Sequence, residues 1–269
     1  MKFADQFDTI FYSSKVNENV RLILNEGSAH DLFINYFGVN YNETDIVSVK
    51  LYFSFFERPS ENILSEFGIN EKHRGLIFTN WMPSKRYDFI HQGLTLGLKC
   101  YLKNNEIIIN KYIHFRTTEF ALGFPDEIKL LKEDRNCPGI CLEFHEEVTE
   151  VKKYYYITSA ENKSKIIKNF GIEAIVKHND ISMIEYTESE LGRKINLAVN
   201  RADTVKTILM KENNKYILDL SSYFFRRYNL YFFAPGYRIS SNTKSIYYVP
   251  KMVYYENYPL QTINLLMHK

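Results

Sequence analysis

Alternating apolar and polar residues, carried through one short segment after another and broken by helical stretches, constrain this chain more than any other feature. A period of two marks a strand with unlike faces. Here it recurs in pairs, each pair followed by a segment of helical spacing. The first pair is DLFINYF (31–37) with IVSVKLYFSFF (46–56), and a helix is expected from near Pro59 to Phe67-Gly68. An earlier apolar run, NVRLILN (19–25), reads as a further strand able to pair with 31–37. LTLGLKCYLK (94–103) and EIIINKYIHFR (106–116) follow, joined by Asn104-Asn105, a tight-turn pair, with a helix over 126–133. GICLEFHEEV (139–148) and VKKYYYITS (151–159) precede a helix over 161–170 that Gly171 stops. ISMIEYTES (181–189) and GRKINLAVN (192–200) precede a helix over 202–211. YNLYFFAPGYR (228–238) and KSIYYVP (244–250) complete the series. Segment 70–93, with Trp81-Met82-Pro83, fits the scheme least well.

Two stretches resemble each other in more than pattern. KLYFSFFERPSENILSEFGI (50–69) and KYYYITSAENKSKIIKNFGI (153–172) share strand, turn, helix and a closing Phe-Gly-Ile. That points to an internal repeat of roughly 40–55 residues. Five ββα copies give about ten antiparallel strands, and a sheet that wide tends to close because closure removes its exposed edges. The expected fold class is therefore α/β (α+β): a closed antiparallel ten-stranded barrel of repeated ββα units with helices outside. No Pro/Gly/Ser-rich linker divides the 269 residues, so 1–269 is read as a single domain.

Composition narrows the partners. Lys+Arg is 34 and Asp+Glu 32, a net charge of +2, so no global field draws in nucleic acid or a membrane surface. Any anion must be held by a local cluster. Three cysteines, Cys100, Cys137 and Cys141, give no disulfide framework. Asp5 and Asp8 interrupt the N-terminal segment where a signal peptide needs an apolar run, and no window approaches the ~18 apolar residues of a membrane span. The expectation is a soluble, cytoplasmic chain. Aromatic residues are 16% of the sequence, with 21 Tyr and 20 Phe but one Trp. Tyrosine, with an apolar ring and a polar tip, suits surfaces neither fully dry nor fully wet.

Successive residues of a strand face opposite ways. Val47, Val49, Leu51, Phe53 and Phe55 share one side of the first unit, while Ser48, Lys50, Tyr52 and Ser54 share the other. Lys99 and Tyr101 are set together in the same manner, as are Tyr112, His114 and Arg116, and Lys194 with Asn196. Two arrangements remain open: a sheet with one solvated face, or helices packed on the apolar face with the Lys/Tyr/Arg/Asn face lining the inside of a closed sheet. Tyrosines at matched offsets from cations, with few carboxylates, favour the second, since a solvated face usually mixes both signs. Such a lining suits a diphosphate, which several cations neutralise through charge-assisted hydrogen bonds. Tyrosine rings beside the cations attract positive charge through their π-faces. An allylic diphosphate is an anion at one end and becomes a carbocation at the other, so it matches both.

The stretches VKLYF (49–53), LKCYL (98–102), KKYYY (152–156), ISMIEYTESELGRKINLAV (181–199) and RYNLYF (227–232) resemble the Lys-x-Tyr steps of the ABBA-type, or PT-barrel, aromatic prenyltransferases. NVRLILNEGSAHDLFINYFGV (19–39) is similar to the opening hairpin of that class. The resemblance implies transfer of an allylic prenyl group from a prenyl diphosphate to an electron-rich aromatic acceptor: an indole, a phenol, or an aromatic side chain of a peptide. It implies that Lys50, Lys99, Arg116, Lys153, Lys194 and Arg227 bind the diphosphate, and that Tyr52, Tyr101, Tyr155 and Tyr231 form a tyrosine shield. The fourth step ends in Asn196 rather than tyrosine. Glu26, just past the first strand, and Glu185 are the candidate bases. The class needs no obligatory cofactor; Mg2+ is compatible with it, but no Asp-rich motif demands the ion.

Cys137, Cys141 and His145, with Glu143 and Glu147, have a spacing that resembles a metal cluster, but no second knuckle accompanies them, so no metal site is assigned. Nucleophile-elbow, Walker and dinucleotide fingerprints are absent from the sequence. Lys85-Arg86, near Trp81 and Tyr87, reads as a solvated loop. The rival reading is a non-catalytic β-sheet module for single-stranded nucleic acid, whose bases stack on rings while cations hold phosphates, or for a hydrophobic ligand. The near-neutral charge argues against nucleic acid.

Overall fold

A computed structural model describes residues 3–26, 32–55, 60–68, 93–117, 139–144, 149–199, 202–227, 230–239 and 241–250. The helix expected over 126–133, segment 70–92 and the tail beyond 250 lie outside the described residues. Ten strands are formed: β1 (Leu32–Tyr41), β2 (Ile46–Phe55), β3 (Gly93–Lys103), β4 (Glu106–Thr117), β5 (Gly139–Phe144), β6 (Thr149–Ile157), β7 (Met183–Ser189), β8 (Gly192–Ala198), β9 (Leu230–Arg238) and β10 (Lys244–Pro250). The described helices are α1 (Phe3–Phe11), α2 (Ser14–Glu26), α3 (Glu61–Glu66), α4 (Ala160–Asn169), α5 (Ala202–Lys211) and α6 (Lys215–Arg227). Neighbouring strands are antiparallel throughout. The β3–β4 turn places Asn104 and Asn105 at φ 52° and 64°, the two positive values that a two-residue hairpin turn of this hand needs.

The expected closed antiparallel ten-stranded barrel of repeated ββα units with helices outside is corrected in its regularity. The strand order returns on itself, β1 pairing with both β2 and β10, but the lacing is uneven. Eleven residue pairs join β3 to β4, whereas among the described residues β8 and β9 are paired through Lys194–Arg238, Ile195–Tyr237 and Asn196–Gly236. The ladder stops where Leu197 would meet Pro235, a residue with no N–H to donate. Beyond that point no further pair joins the two strands among the described residues. Helix packing among the described residues is also uneven. It falls on β2 and β3 through α1, on β7 and β8 through α4, and on β9 through α5 and α6.

The apolar strand faces meet these helices. Phe3, Phe7, Ile10 and Phe11 lie on one side of α1 at helical spacing and are buried against Phe37, Val39, Val49, Leu51 and Phe53. Phe7, Phe37 and Phe224 form a three-ring contact, with centroids 4.6 to 6.0 Å apart. Several sequence expectations change here. Residues 19–25 belong to α2, not to a strand, so no opening hairpin forms with 31–37. Val16, Val20 and Ile23 are buried at intervals of four and three, a helical period that the seven-residue window was too short to show. The expected regular ββα order is broken by α1 and α2 ahead of β1, and by α6 after α5. On α6, Ile217, Leu220 and Phe224 are buried at the same spacing.

The two similar stretches do form matching helix ends. Ser60 Oγ accepts from the Ile63 amide and Ser159 Oγ from the Asn162 amide, each at 3.3 Å. Phe67 and Phe170 stand at the C-terminal caps. Gly171 takes φ 65° and ends α4 as expected.

One buried carboxylate ties the helices to the sheet. Glu212, directly after α5, has no solvent-accessible side-chain surface and accepts hydrogen bonds from Tyr41 at 3.1 Å and Tyr237 at 2.5 Å, with Lys244 Nζ at 3.2 Å. Burial, and then the Glu212 charge, push both phenols well above their ordinary pKa. Removing the carboxylate strands two hydroxyls and an ammonium. Glu212→Ala is expected to cost about 3 kcal/mol of unfolding free energy, measured by urea denaturation, with Glu212→Gln recovering part of it.

Candidate functional site

The polar strand faces converge on a cavity of about 150 Å³. Its lining comes from β2 (Lys50, Tyr52), β4 (His114), β5 (Glu143), β6 (Lys152, Tyr154), β7 (Met183, Glu185, Thr187, Ser189), β8 (Gly192, Lys194, Asn196, Ala198), β9 (Ala234, Arg238) and β10 (Tyr247). Alternation explains the set: on each of these strands the lining residues are separated by even steps.

Two glycines let side chains reach across intervening strands. Gly38 of β1 is paired with Lys50 on one side and Tyr247 on the other. A Cβ at Gly38 would lie 2.8 Å from a Tyr247 ring carbon, so the ring lies flat over bare backbone. Gly236 of β9 has Ser245 Oγ, Asn196 Oδ1 and Lys194 Cε over it, where a Cβ would meet them at 2.3, 2.6 and 3.1 Å. Lys194 thereby crosses β9 and donates to the Tyr247 hydroxyl at 2.5 Å, with its ammonium 4.6 Å from the ring centroid.

Electrostatics divide the cavity. On one side Lys152 pairs with Glu143 and, at 3.4 Å, with Glu150. Burial alone would lower the Lys152 pKa, but the two carboxylates outweigh it and raise it. Beside them the Tyr154 hydroxyl lies 3.3 Å from His114 Nε2. On the other side Lys50 is held down to about 8 by burial, which outweighs the pull of Tyr247. Burial would raise the Tyr247 pKa; Lys194 first and Lys50 second reverse that and bring it to about 7. Glu185 is buried and accepts from Asn196 Nδ2 at 2.8 Å. Tyr52 meets Tyr112 edge-on at 6.1 Å and Tyr247 at 6.5 Å, giving that wall three rings.

Of the residues singled out from sequence, Lys50, Tyr52, Glu185 and Lys194 line the cavity. Lys99 is directly opposite Lys50 and shares its face, yet it and Tyr101 are outside the lining. Lys153 and Tyr155 point the other way, and Tyr155 packs against Tyr186 at 5.7 Å; Lys152 and Tyr154 take the inward positions. Aligning the two similar stretches on Lys50 and Lys153 caused the error. The inward Lys50 is ten residues before the N-cap Ser60, and the inward Lys152 is seven before the N-cap Ser159. The odd difference turns the strand over. Arg227 is the last residue of α6 and Glu26 the last of α2, so neither is on a strand. The side chains of Glu26, Arg116, Arg227 and Tyr231 lie outside the described residues, as do Cys137, His145 and Glu147. Cys141 is buried and in no disulfide among the described residues. Reasoning from sequence missed Tyr247, Lys152, Tyr154, Glu143 and Arg238 as lining, and gave His114 a place on the polar face but no role. The strict alternation of KSIYYVP required one of Tyr247 and Tyr248 to face inward, and that signal was available.

No protein-family model matches the chain, and no curated protein matches its sequence.

The two shifted groups fix a pH dependence. Between the folded and ordinary pKa of Lys50 (about 8 and 10.5), and likewise of Tyr247 (about 7 and 10), the unfolded chain binds more protons than the folded one. Stability therefore rises with pH in that window, and below about pH 7 the cost of burying the Lys50 charge is felt in full. Calorimetry is expected to show Tm climbing between about pH 7 and 9, and a Lys50→Met/Tyr247→Phe double variant losing most of that climb; superimposable curves would refute the assignment.

Proposed function

We propose that this chain is a transferase that moves an allylic prenyl group from its diphosphate to an electron-rich aromatic acceptor. The observation that carries the reading is the convergence of Lys50 and Lys194 with Tyr52 and Tyr247 in one cavity, together with Arg238 and Tyr154. Cations for a diphosphate and rings for a carbocation are what the reaction demands on adjoining surfaces.

In the proposed reaction the donor's C1–O bond breaks and its electron pair leaves with the diphosphate, whose charge Lys50, Lys194 and Arg238 neutralise. The allyl cation faces the tyrosine rings, which exclude water from it. A π-electron pair of the acceptor ring forms the new C–C bond, and the ring then loses its proton to a base. Glu185 is the candidate for that role: it is buried in the cavity wall and held by Asn196. No step calls on a metal ion, since the lysines and arginine supply the positive charge.

The test is incubation with dimethylallyl, geranyl or farnesyl diphosphate and a panel of indoles, phenols and aromatic peptides, followed by mass spectrometry for prenyl additions. Product formation is expected with at least one pair. Lys194→Met is expected to lower kcat/KM by about 10–100-fold, or ~1.4–2.7 kcal/mol, while Lys99→Ala, outside the lining, stays within about twofold. Absence of product across the panel, with salt-dependent binding of single-stranded RNA instead, would replace this reading with that of a binding module.

A further inference from the structure

We propose that the Tyr247 phenolate is the resident counter-anion of Lys50 and Lys194 in the empty site, and that an incoming diphosphate displaces it from the lysines as Tyr247 takes up a proton. The inference deepens the reading above and rests on it for the identity of the anion.

The geometry is specific. Tyr247 on β10 has a lysine of the same face two strands away on either side, with a glycine on each intervening strand. Lys50 on β2 faces it over Gly38 of β1. Lys194 on β8 faces it over Gly236 of β9 and closes to 2.5 Å. A residue with a Cβ at either crossing would intrude on the contact. The cavity's described carboxylates are engaged elsewhere, Glu143 with Lys152 and Glu185 with Asn196. Neither Lys50 nor Lys194 has a described ion pair with a carboxylate; Tyr247 is the first of the charges that pull on Lys50, ahead of Glu143, and its hydroxyl takes the Lys194 hydrogen bond.

The other groups around Tyr247 are consistent with this role. Tyr52 from β2 presents its ring at 6.5 Å. Arg238 from β9 adds positive charge to the same cavity. Farther along the wall are His114, Tyr154, Glu143 and Lys152, of which Glu143 and Lys152 act on Lys50 in opposite senses. Burial opposes ionisation of Tyr247, but Lys194 and Lys50 overcome it, bringing its pKa to about 7.

A diphosphate brings negative charge to the same two ammoniums. The phenolate and the diphosphate repel, so the phenolate oxygen takes a proton from solvent: Tyr–O⁻ plus H⁺ gives Tyr–OH. The new O–H then stands beside the anion and can donate a hydrogen bond to it. Binding is thus linked to proton uptake, and above the Tyr247 pKa affinity falls as pH rises. A site that holds its own removable anion also avoids two bare, mutually repelling lysines while it waits for substrate.

Inorganic diphosphate is the probe, titrated into the full chain at about pH 8, one unit above the Tyr247 pKa. The near-ultraviolet tyrosinate band is followed by difference spectroscopy, binding is followed by calorimetry, and sodium chloride at matched ionic strength is the control. Loss of one tyrosine's worth of tyrosinate is expected on saturation, with no loss on adding chloride. Tyr247→Phe is expected to bind diphosphate with no spectral change. Lys194→Met is expected to lack the band before any anion is added, which checks the assignment through a second residue. Diphosphate binding with the band unchanged, an unchanged response in Tyr247→Phe, or no diphosphate binding at all overturns the inference. Prenyl products formed without proton uptake would sink it and leave the transfer reading standing. Proton uptake with no product from any donor would do the reverse.

Discussion

Apolar contact between α1, α6 and one face of the sheet is the constraint on which the rest depends. Once Phe3, Phe7 and Phe224 are seated on Phe37, Val39 and Leu51, the pleat leaves the opposite residues no freedom. Lys50, Tyr52, Lys194 and Tyr247 must turn to the concave side, out of bulk water. The hydrophobic effect that places the helices therefore also desolvates the cations. Each buried charge then has to find an opposite one or shift its protonation.

The chain meets that requirement in different ways. Lys152 is matched conventionally, by Glu143 and Glu150. Lys163 on α4 is buried and donates to the Ile181 and Ser182 carbonyls, stitching the helix to the segment leading into β7. Glu212 is satisfied by two phenols and an ammonium. Lys50 and Lys194 have instead a tyrosine, a weaker acid than a carboxyl and one that is easily returned to neutrality. The carboxylate-matched pairs hold elements together, and the lysine–tyrosine contact is in the cavity wall.

Much of this was legible in the amino-acid order. Strand pairs at 46–56, 94–103, 106–116 and 244–250 were marked by alternation, and the Asn104-Asn105 turn by its residue types. Alternation also placed Lys50, Tyr52 and Lys194 on the inward face. It failed where two periods compete within a short window, as at 19–25, whose burial repeats at three and four. It failed on β6 because likeness between the two repeated stretches was trusted above the count of residues between strand and cap, and an odd difference inverts a strand. Arg227 was grouped with the RYNLYF step because α6, whose apolar spacing spans 217–224, is not marked in the sequence expectations. The uneven seam between β8 and β9 hinges on Pro235, visible in the sequence but interpretable only once its neighbour was known.

Gly38 and Gly236 have a consequence for how this cavity could change over time. Neither carries a functional group, yet each governs whether a lysine and a phenol two strands apart can touch. The charge state of the cavity is thus under the control of positions that would be dismissed as inert. A lineage could retune what the cavity accepts by adding a single methyl group to the backbone, leaving every ionisable residue in place.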